Sequence, residues 1–274
     1  MDIFSFIRDL LVPKVLKKAQ LFALAVLTGV ALGHTPDFLG IVGVALFFTT
    51  YLSTYFYNDI VDLDDDKNKP VYPAKLLARG EMSEAEALFL SSNLFALGVL
   101  LTMLYDPALG VLTFLAVFLN NVRSHVREVF TRQALLVLVE YTNFAAAYYA
   151  FFHVLPNLSA SSVALEFASL YALGHNVYKF RDGHLWRVLT HRKSILLTVL
   201  AFLCMVPTAV ALAHNPVALV FGIISGFIYV VPQYFFVRRG DLTEQAFVDR
   251  SFWTDALLMG LIALWYVIGI WLML

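Results

Sequence analysis

Apolar residues run along this chain in long blocks, broken by short polar stretches, near residues 19–33, 38–57, 84–104, 107–120, 133–153, 162–178, 194–213, 216–237 and 252–274. A bilayer core is crossed by about 20 apolar residues in a helix, so the pattern predicts about nine membrane-spanning helices. The block at 107–120 is short for a full crossing. It is expected either to tilt little or to run on as helix through the polar stretch from Asn120 to Arg132. Ahead of the first block, Phe4, Ile7, Leu10, Leu11 and Val15 recur at helical spacing with basic residues between them. That pattern suits a helix lying at the interface, or a simple topology anchor, over residues 1–18. The predicted fold class is therefore all-α: a polytopic membrane protein forming a single domain over residues 1–274.

Composition agrees. The chain is 60% hydrophobic and 14% charged, whereas a soluble chain is roughly half apolar and a quarter charged. Charge placement tests the span count independently, because Lys and Arg in short loops mark the cytoplasmic side. Arg8, Lys14, Lys17 and Lys18 precede the first block, Lys67, Lys69, Lys75 and Arg79 follow the second, and Arg123, Arg127 and Arg132 follow the fourth. Lys179, Arg181, Arg187, Arg192 and Lys193 follow the sixth block and Arg238, Arg239 and Arg250 the eighth, which accounts for all 19 basic residues. The opposite loops carry none, so the N-terminus is expected in the cytoplasm and the C-terminus on the far side. The chain is expected to be a multi-pass integral membrane protein, in the plasma membrane if its source is prokaryotic. A net charge of −1 hides this sidedness and offers nothing to nucleic acid. Cys204 stands alone, which excludes a disulfide and a cysteine metal site. No cleavable signal is evident, since the first apolar block lacks a small-residue cleavage site.

The far-side loops, at His34-Thr35-Pro36, Asp106-Pro107, Pro156-Asn157 and His214-Asn215-Pro216, read as turns. Polar chemistry concentrates instead in two cytoplasmic loops, Asn58 to Ser83 and Lys179 to Lys193. In the first, Asn58, Asp62 and Asp66 are spaced i, i+4, i+8, which on a helix continuing from the second block lines one face. Crowded carboxylates repel unless a divalent cation sits between them. Hard oxygen ligands imply Mg²⁺, which keeps waters and shares its coordination with substrate phosphates. Asp59 and Asp65 flank the same face and offer ligands to a second ion. The other reading is a solvated acidic run that stops a helix. Downstream, Ser83-Glu84-Ala85-Glu86 has the form of a capping box and starts the third block.

The pattern N-x-x-x-D-x-x-x-D at the end of a second span, followed by Asn68-Lys69-Pro70, resembles the UbiA superfamily of intramembrane prenyltransferases. The resemblance implies nine helices around a lipid-open cavity and two Asp-rich cytoplasmic loops holding Mg²⁺ ions and a prenyl diphosphate. It places Asn58, Asp62 and Asp66 on the family's Mg²⁺ ligands. The second loop departs from the family pattern K-D-x-x-D-x-x-x-D: anchored on Lys179, the acidic positions hold Phe180, Gly183 and Arg187, and only Asp182 remains acidic. His175 replaces a common Tyr, and Tyr72 stands where the first loop often carries Arg. Two explanations compete. Either Lys179, Arg181 and Arg187 grip the diphosphate directly, or the site has lost catalysis.

Arg123 and Arg127, a helical turn apart after the fourth block, align with basic residues that bind diphosphate in the resembling family, or else only set topology. Glu140 and Asn143 sit in the fifth block, where an ionisable group is costly; Glu140 contacts an acceptor head group or another helix. Tyr148-Tyr149 reads as packing or cavity lining, and Asp255 takes no role. The resulting expectation is an Mg²⁺-dependent enzyme that transfers a prenyl group from a polyprenyl diphosphate to a lipophilic acceptor. Asp62, Asp66 and Lys179 would be its catalytic residues and lipids or other membrane proteins its neighbours. A terpene cyclase on the same scaffold, and a non-catalytic subunit that binds a lipid or quinone, are the alternatives. A transporter fits poorly, because the blocks show no inverted repeat.

Overall fold

The computed structural model describes residues 12–67, 76–78 and 80–181. Among them every regular element is a helix: α1 Val12–Ala31, α2 Gly40–Tyr51, α3 Ser53–Val61, α4 Leu63–Lys67, α5 Glu84–Tyr105, α6 Pro107–His125, α7 Val129–Phe152 and α8 Leu158–Arg181. Four stretches are long and apolar enough to cross a membrane, Gly40–Val61, Glu84–Tyr105, Pro107–His125 and Thr131–Phe152. The apolar blocks from residue 194 onward lie outside the described residues, as does most of the expected interfacial segment. The part of that segment that is described, from Val12, is already helix and continues without interruption into the first apolar block.

The helix ends follow local chemistry. Ser83 Oγ accepts from the Glu86 amide at 3.2 Å and Glu86 Oε2 accepts from the Ser83 amide at 2.8 Å, the predicted capping box. Asp106 Oδ1 accepts from the Ala108 and Leu109 amides at 2.8 and 3.1 Å, with Pro107 in the first turn where its missing N–H costs nothing. Asn157 Oδ1 caps α8 by accepting from the Ala160 amide at 2.9 Å. Helix α1 closes on Gly33 at φ 83°, so that the His34 and Gly33 amides reach back to the Gly29 and Val30 carbonyls. Asp37 accepts from the Leu39 amide at 2.9 Å and pairs with His153 at 3.2 Å. These contacts, the amide first, hold its carboxyl below the usual carboxylate range.

The described residues group into two units, residues up to 26 together with 35–155, and residues 27–34 together with those from 156 on. In the first unit α2 packs on α5, α6 and α7, α3 packs on α5 and α6, and α6 lies between α5 and α7. Phe47, Tyr51, Leu109, Ala116, Val117, Val139, Ala146 and Ala150 form its centre. On α5 (Glu84–Tyr105) the side chains are sorted by size rather than polarity. Helix α5 buries Ala87, Ser91, Gly98 and Thr102 and exposes Leu88, Phe89, Leu97, Leu100, Leu101 and Leu104. In lipid, apolar surface gains nothing by leaving the solvent, so helices associate through small residues that let backbones approach. Gly98 shows how close that approach is: a Cβ there would overlap the side chain of Thr50, itself fully buried.

Candidate functional site

The expected acidic ladder begins as helix and then breaks. Asn58 and Asp59, half-buried, lie near the C-terminal end of α3. The Asp62 amide still bonds the Asn58 carbonyl at 2.9 Å, but Asp62 sits at φ −91°, ψ 2°, outside helical geometry. Asp66 falls on the separate five-residue helix α4. The single face expected for Asn58, Asp62 and Asp66 is therefore divided between two helices. Electrostatics supplies the reason: carboxylates are unfavourable beside the exposed carbonyls of a helix C-terminus and favourable in the first turn of the next helix.

The end of α3 is tied to the end of α6 at two consecutive positions. Ser124 Oγ contacts the Asn58 side-chain amide, and Tyr57 Oη lies 2.7 Å from His125 Nε2 with the rings edge to face. Beside them Arg123 is buried, its Nε donating to Asn120 Oδ1 at 3.1 Å. A guanidinium has five N–H donors, so this bond orients the remaining fork.

Arg127 corrects the sequence reading. It was expected on one helix with Arg123, yet α6 ends at His125, Val126 is extended at φ −80°, ψ 119°, and Arg127 is exposed in the turn. Helix does not run on to Arg132, because Glu128 Oε2 accepts from the Thr131 amide at 2.6 Å at the start of α7. The turn places half-buried Arg132 near enough to feel the charges of Arg123 and Asp62. One end of the first unit thus gathers Asn58, Asp62, Asn120, Arg123, Ser124 and Arg132. Ser124, Asn120 and Arg132 were not singled out as site residues from sequence, since 66 positions separate Asn58 from Ser124 and no local pattern links them.

Deeper along α7, Glu140 meets another helix. Lys18 Nζ lies 2.7 Å from both Glu140 carboxylate oxygens and 5.0 Å from the Tyr51 ring centroid, and Asn143 Nδ2 donates to Glu140 Oε2 at 3.3 Å. Lys18, read from sequence as a basic residue preceding the first span, is 4% exposed, and Glu140 is 3% exposed. Lys179 and Arg181 fall on the last turn of α8, in the second unit. Asp182, Gly183 and Arg187 lie outside the described residues.

Among the described residues no group of three His, Cys, Asp or Glu side chains is placed to hold a metal ion. The donors that are described, the Asn58 amide and the Asp59 and Asp62 carboxylates, are hard oxygens. Mg²⁺ is commonly held by one or two carboxylates, with waters and substrate phosphates completing its shell. The donor set fits that ion in kind.

No protein-family model and no curated protein sequence matches the chain. Its fold is similar to that of a UbiA homolog from Archaeoglobus fulgidus whose structure was solved bound to GPP and Mg²⁺. The TM-score is 0.56 at 16% sequence identity, and the match covers 97% of this chain and 99% of the other. The likeness is one of fold.

Proposed function

We propose that this chain, which has the UbiA fold, belongs to that superfamily and is a single membrane domain of about nine spans with its N-terminus in the cytoplasm. In this reading it binds a prenyl diphosphate with Mg²⁺ at its cytoplasmic face and transfers the prenyl group to a lipophilic acceptor. The observation that carries the reading is the convergence of Asn58 and Asp62 with Arg123 and Arg132 at one end of a bundle whose outer surface is apolar. An acid cluster alone would suit a metal. Acid and guanidinium together suit a metal-bound phosphate.

Asn58, Asp62, Asp66 and Asp59 would hold Mg²⁺. When bound, the ion neutralises diphosphate charge and stabilises the departing pyrophosphate. Arg123, oriented by Asn120, would contact the phosphate oxygens. Arg132, within electrostatic reach of Asp62, adds positive charge to the same end. In the reaction the allylic C–O bond breaks and the electron pair leaves with pyrophosphate; the allylic carbon then bonds the acceptor, which loses a proton. Phe47 stacks on Tyr51 and Tyr51 meets Tyr55 edge to face, at one-turn intervals with centroids 5.8 and 5.9 Å apart, just before Asn58. Tyr55, the partly buried one of these three rings, offers an aromatic face that would exclude water and stabilise an allylic cation.

Two experiments test the reading. In a background lacking Cys204, a cysteine at Arg127 is expected to react with an impermeant maleimide only from the cytoplasmic side, and one at Leu155 only from the far side; the reverse pattern inverts the topology. Incubation with geranyl or farnesyl diphosphate, Mg²⁺ and a membrane extract is expected to release pyrophosphate. A conjugated lipid product identifies a transferase, and a free hydrocarbon or alcohol a cyclase. No release across chain lengths and acceptors supports the non-catalytic lipid-binding reading, which the replacement of acidic positions by Phe180, Gly183 and Arg187 already favours.

A further inference from the structure

Helix α5 exposes a polar side chain where the surface around it is hydrocarbon. Asn93 is the tenth of its 22 residues, so at 1.5 Å per residue it lies about 14 Å from the Glu84 end and about 18 Å from the Tyr105 end. In a helix that crosses the bilayer this is close to the midplane. The buried residues of α5 are Ala87, Ser91, Gly98 and Thr102. At about 100° per residue, Phe89, Asn93, Ala96 and Leu100 fall on the opposite side, and all four are exposed. Asn93 Nδ2 donates to the Phe89 carbonyl at 2.7 Å. An amide has a second N–H and an acceptor oxygen, and among the described residues nothing meets either of them. In hydrocarbon no water takes their place.

We propose that this face of α5 is the contact between two copies of the chain, closed by Asn93 of each copy against Asn93 of the other. The spacing suits a helix as partner: Phe89, Asn93, Ala96, Leu100 and Met103, all exposed, follow one another by 4, 3, 4 and 3 residues, the seam of a coiled pair. Ala96, one turn from Asn93, leaves room for two backbones to approach. The amide selects a second copy. Two copies with the same topology form a closed pair about an axis along the membrane normal, so their α5 helices run parallel and equal positions meet at equal depth. There an amide is its own complement: each Asn93 donates its second N–H to the oxygen of the other, and the unmet groups of both copies are satisfied. A polar residue within an apolar seam also fixes its register. Lipid alone would leave those groups unmet. This contact depends on α5 crossing the membrane and not on the Mg²⁺ site.

The test uses the full chain in phosphatidylcholine vesicles. In a background with Cys204 replaced by serine, Ala96→Cys and Leu100→Cys are expected to give disulfide-linked dimers on mild oxidation. Leu101→Cys, exposed on the same helix but turned about 100° from Leu100, is not. Energy transfer between copies labelled on an appended tag is then followed as added lipid dilutes them. Asn93→Leu is expected to weaken association by about 3–30-fold, the range for interhelical hydrogen bonds, and Asn93→Gln, which keeps the amide, to retain most of it. Position 93 faces lipid, so neither variant should lower Tm. Wild-type transfer that fades at the same dilution as that of a monomeric membrane protein overturns the proposal. So does equal association of wild type and Asn93→Leu, or cross-linking of Leu101→Cys as efficient as that of Ala96→Cys. Cross-linking of Ala96→Cys in native membranes to a different protein alone overturns the second copy as the occupant.

Discussion

Replacing Asp62 by Ala is expected to remove most of the difference between prenyl diphosphate affinity in Mg²⁺ and in EDTA. Asp62 stands at the break between α3 and α4, one turn from Asn58 and within electrostatic reach of Arg132. Altering a residue that only supports a metal ligand costs about 10–100-fold in metal affinity, so deleting a ligand should cost at least about 100-fold, or roughly 2.8 kcal/mol. Asp64, exposed on α4 and outside the Asn58–Asp62–Asp66 spacing, is the control: Asp64→Ala should change affinity little. The sign of the Asp62 effect without metal is informative as well. In EDTA, losing a carboxylate near an incoming diphosphate removes repulsion, so Asp62→Ala should bind slightly better than wild type. Two outcomes defeat the assignment: a wild-type affinity indifferent to Mg²⁺, or a loss of equal size in Mg²⁺ and EDTA. The second would mean that Asp62 supports the fold rather than an ion.

Breaking the Lys18–Glu140 pair is expected to produce the largest loss of stability. Both groups are almost fully buried, and the carboxylate holds Lys18 with both oxygens while taking a further bond from Asn143. Removing one partner leaves an uncompensated charge in a low-dielectric interior, at about 3–5 kcal/mol, or roughly 6–20 °C in Tm for a chain of this size. Glu140→Leu and Lys18→Met should each show this in a thermal melt of the purified protein in detergent. The double variant should recover most of the loss, because paired apolar replacements often match a buried ion pair. Recovery should fall short by about 1 kcal/mol, since the Asn143 amide loses its acceptor. Should the double variant be no more stable than the single ones, the pair does more than anchor α1 to α7. Unchanged stability in both single variants would mean that water reaches the site.

Among the described residues, local patterns located several of the helices. The apolar blocks at 84–104 and 133–153 became α5 and α7 within a few residues at either end, because block length and hydropathy are properties of the segment itself. The capping box at Ser83 and the turn at Asp106-Pro107 were legible for the same reason, since their donors and acceptors lie within three residues of each other. The acidic run from Asn58 to Asp66 was also visible, and with it the kind of ion its oxygens would hold.

Tertiary structure decided what those residues meet. Lys18 read as one more cytoplasmic charge until packing set it against Glu140, 122 positions away. Arg123 and Arg127 read as equivalent until α6 ended between them, burying the first against Asn120 and exposing the second. Ser124 carried no signal at all, because its contact with Asn58 depends on the end of α3 lying beside it. Helical periodicity encodes which residues share a face of one helix, whereas pairing between helices depends on where each helix ends and which small residues allow close approach. The crossing of α5 at Gly98 and the break at Asp62 settle those points. Both emerge from the balance of packing, dipole and charge across the assembled bundle.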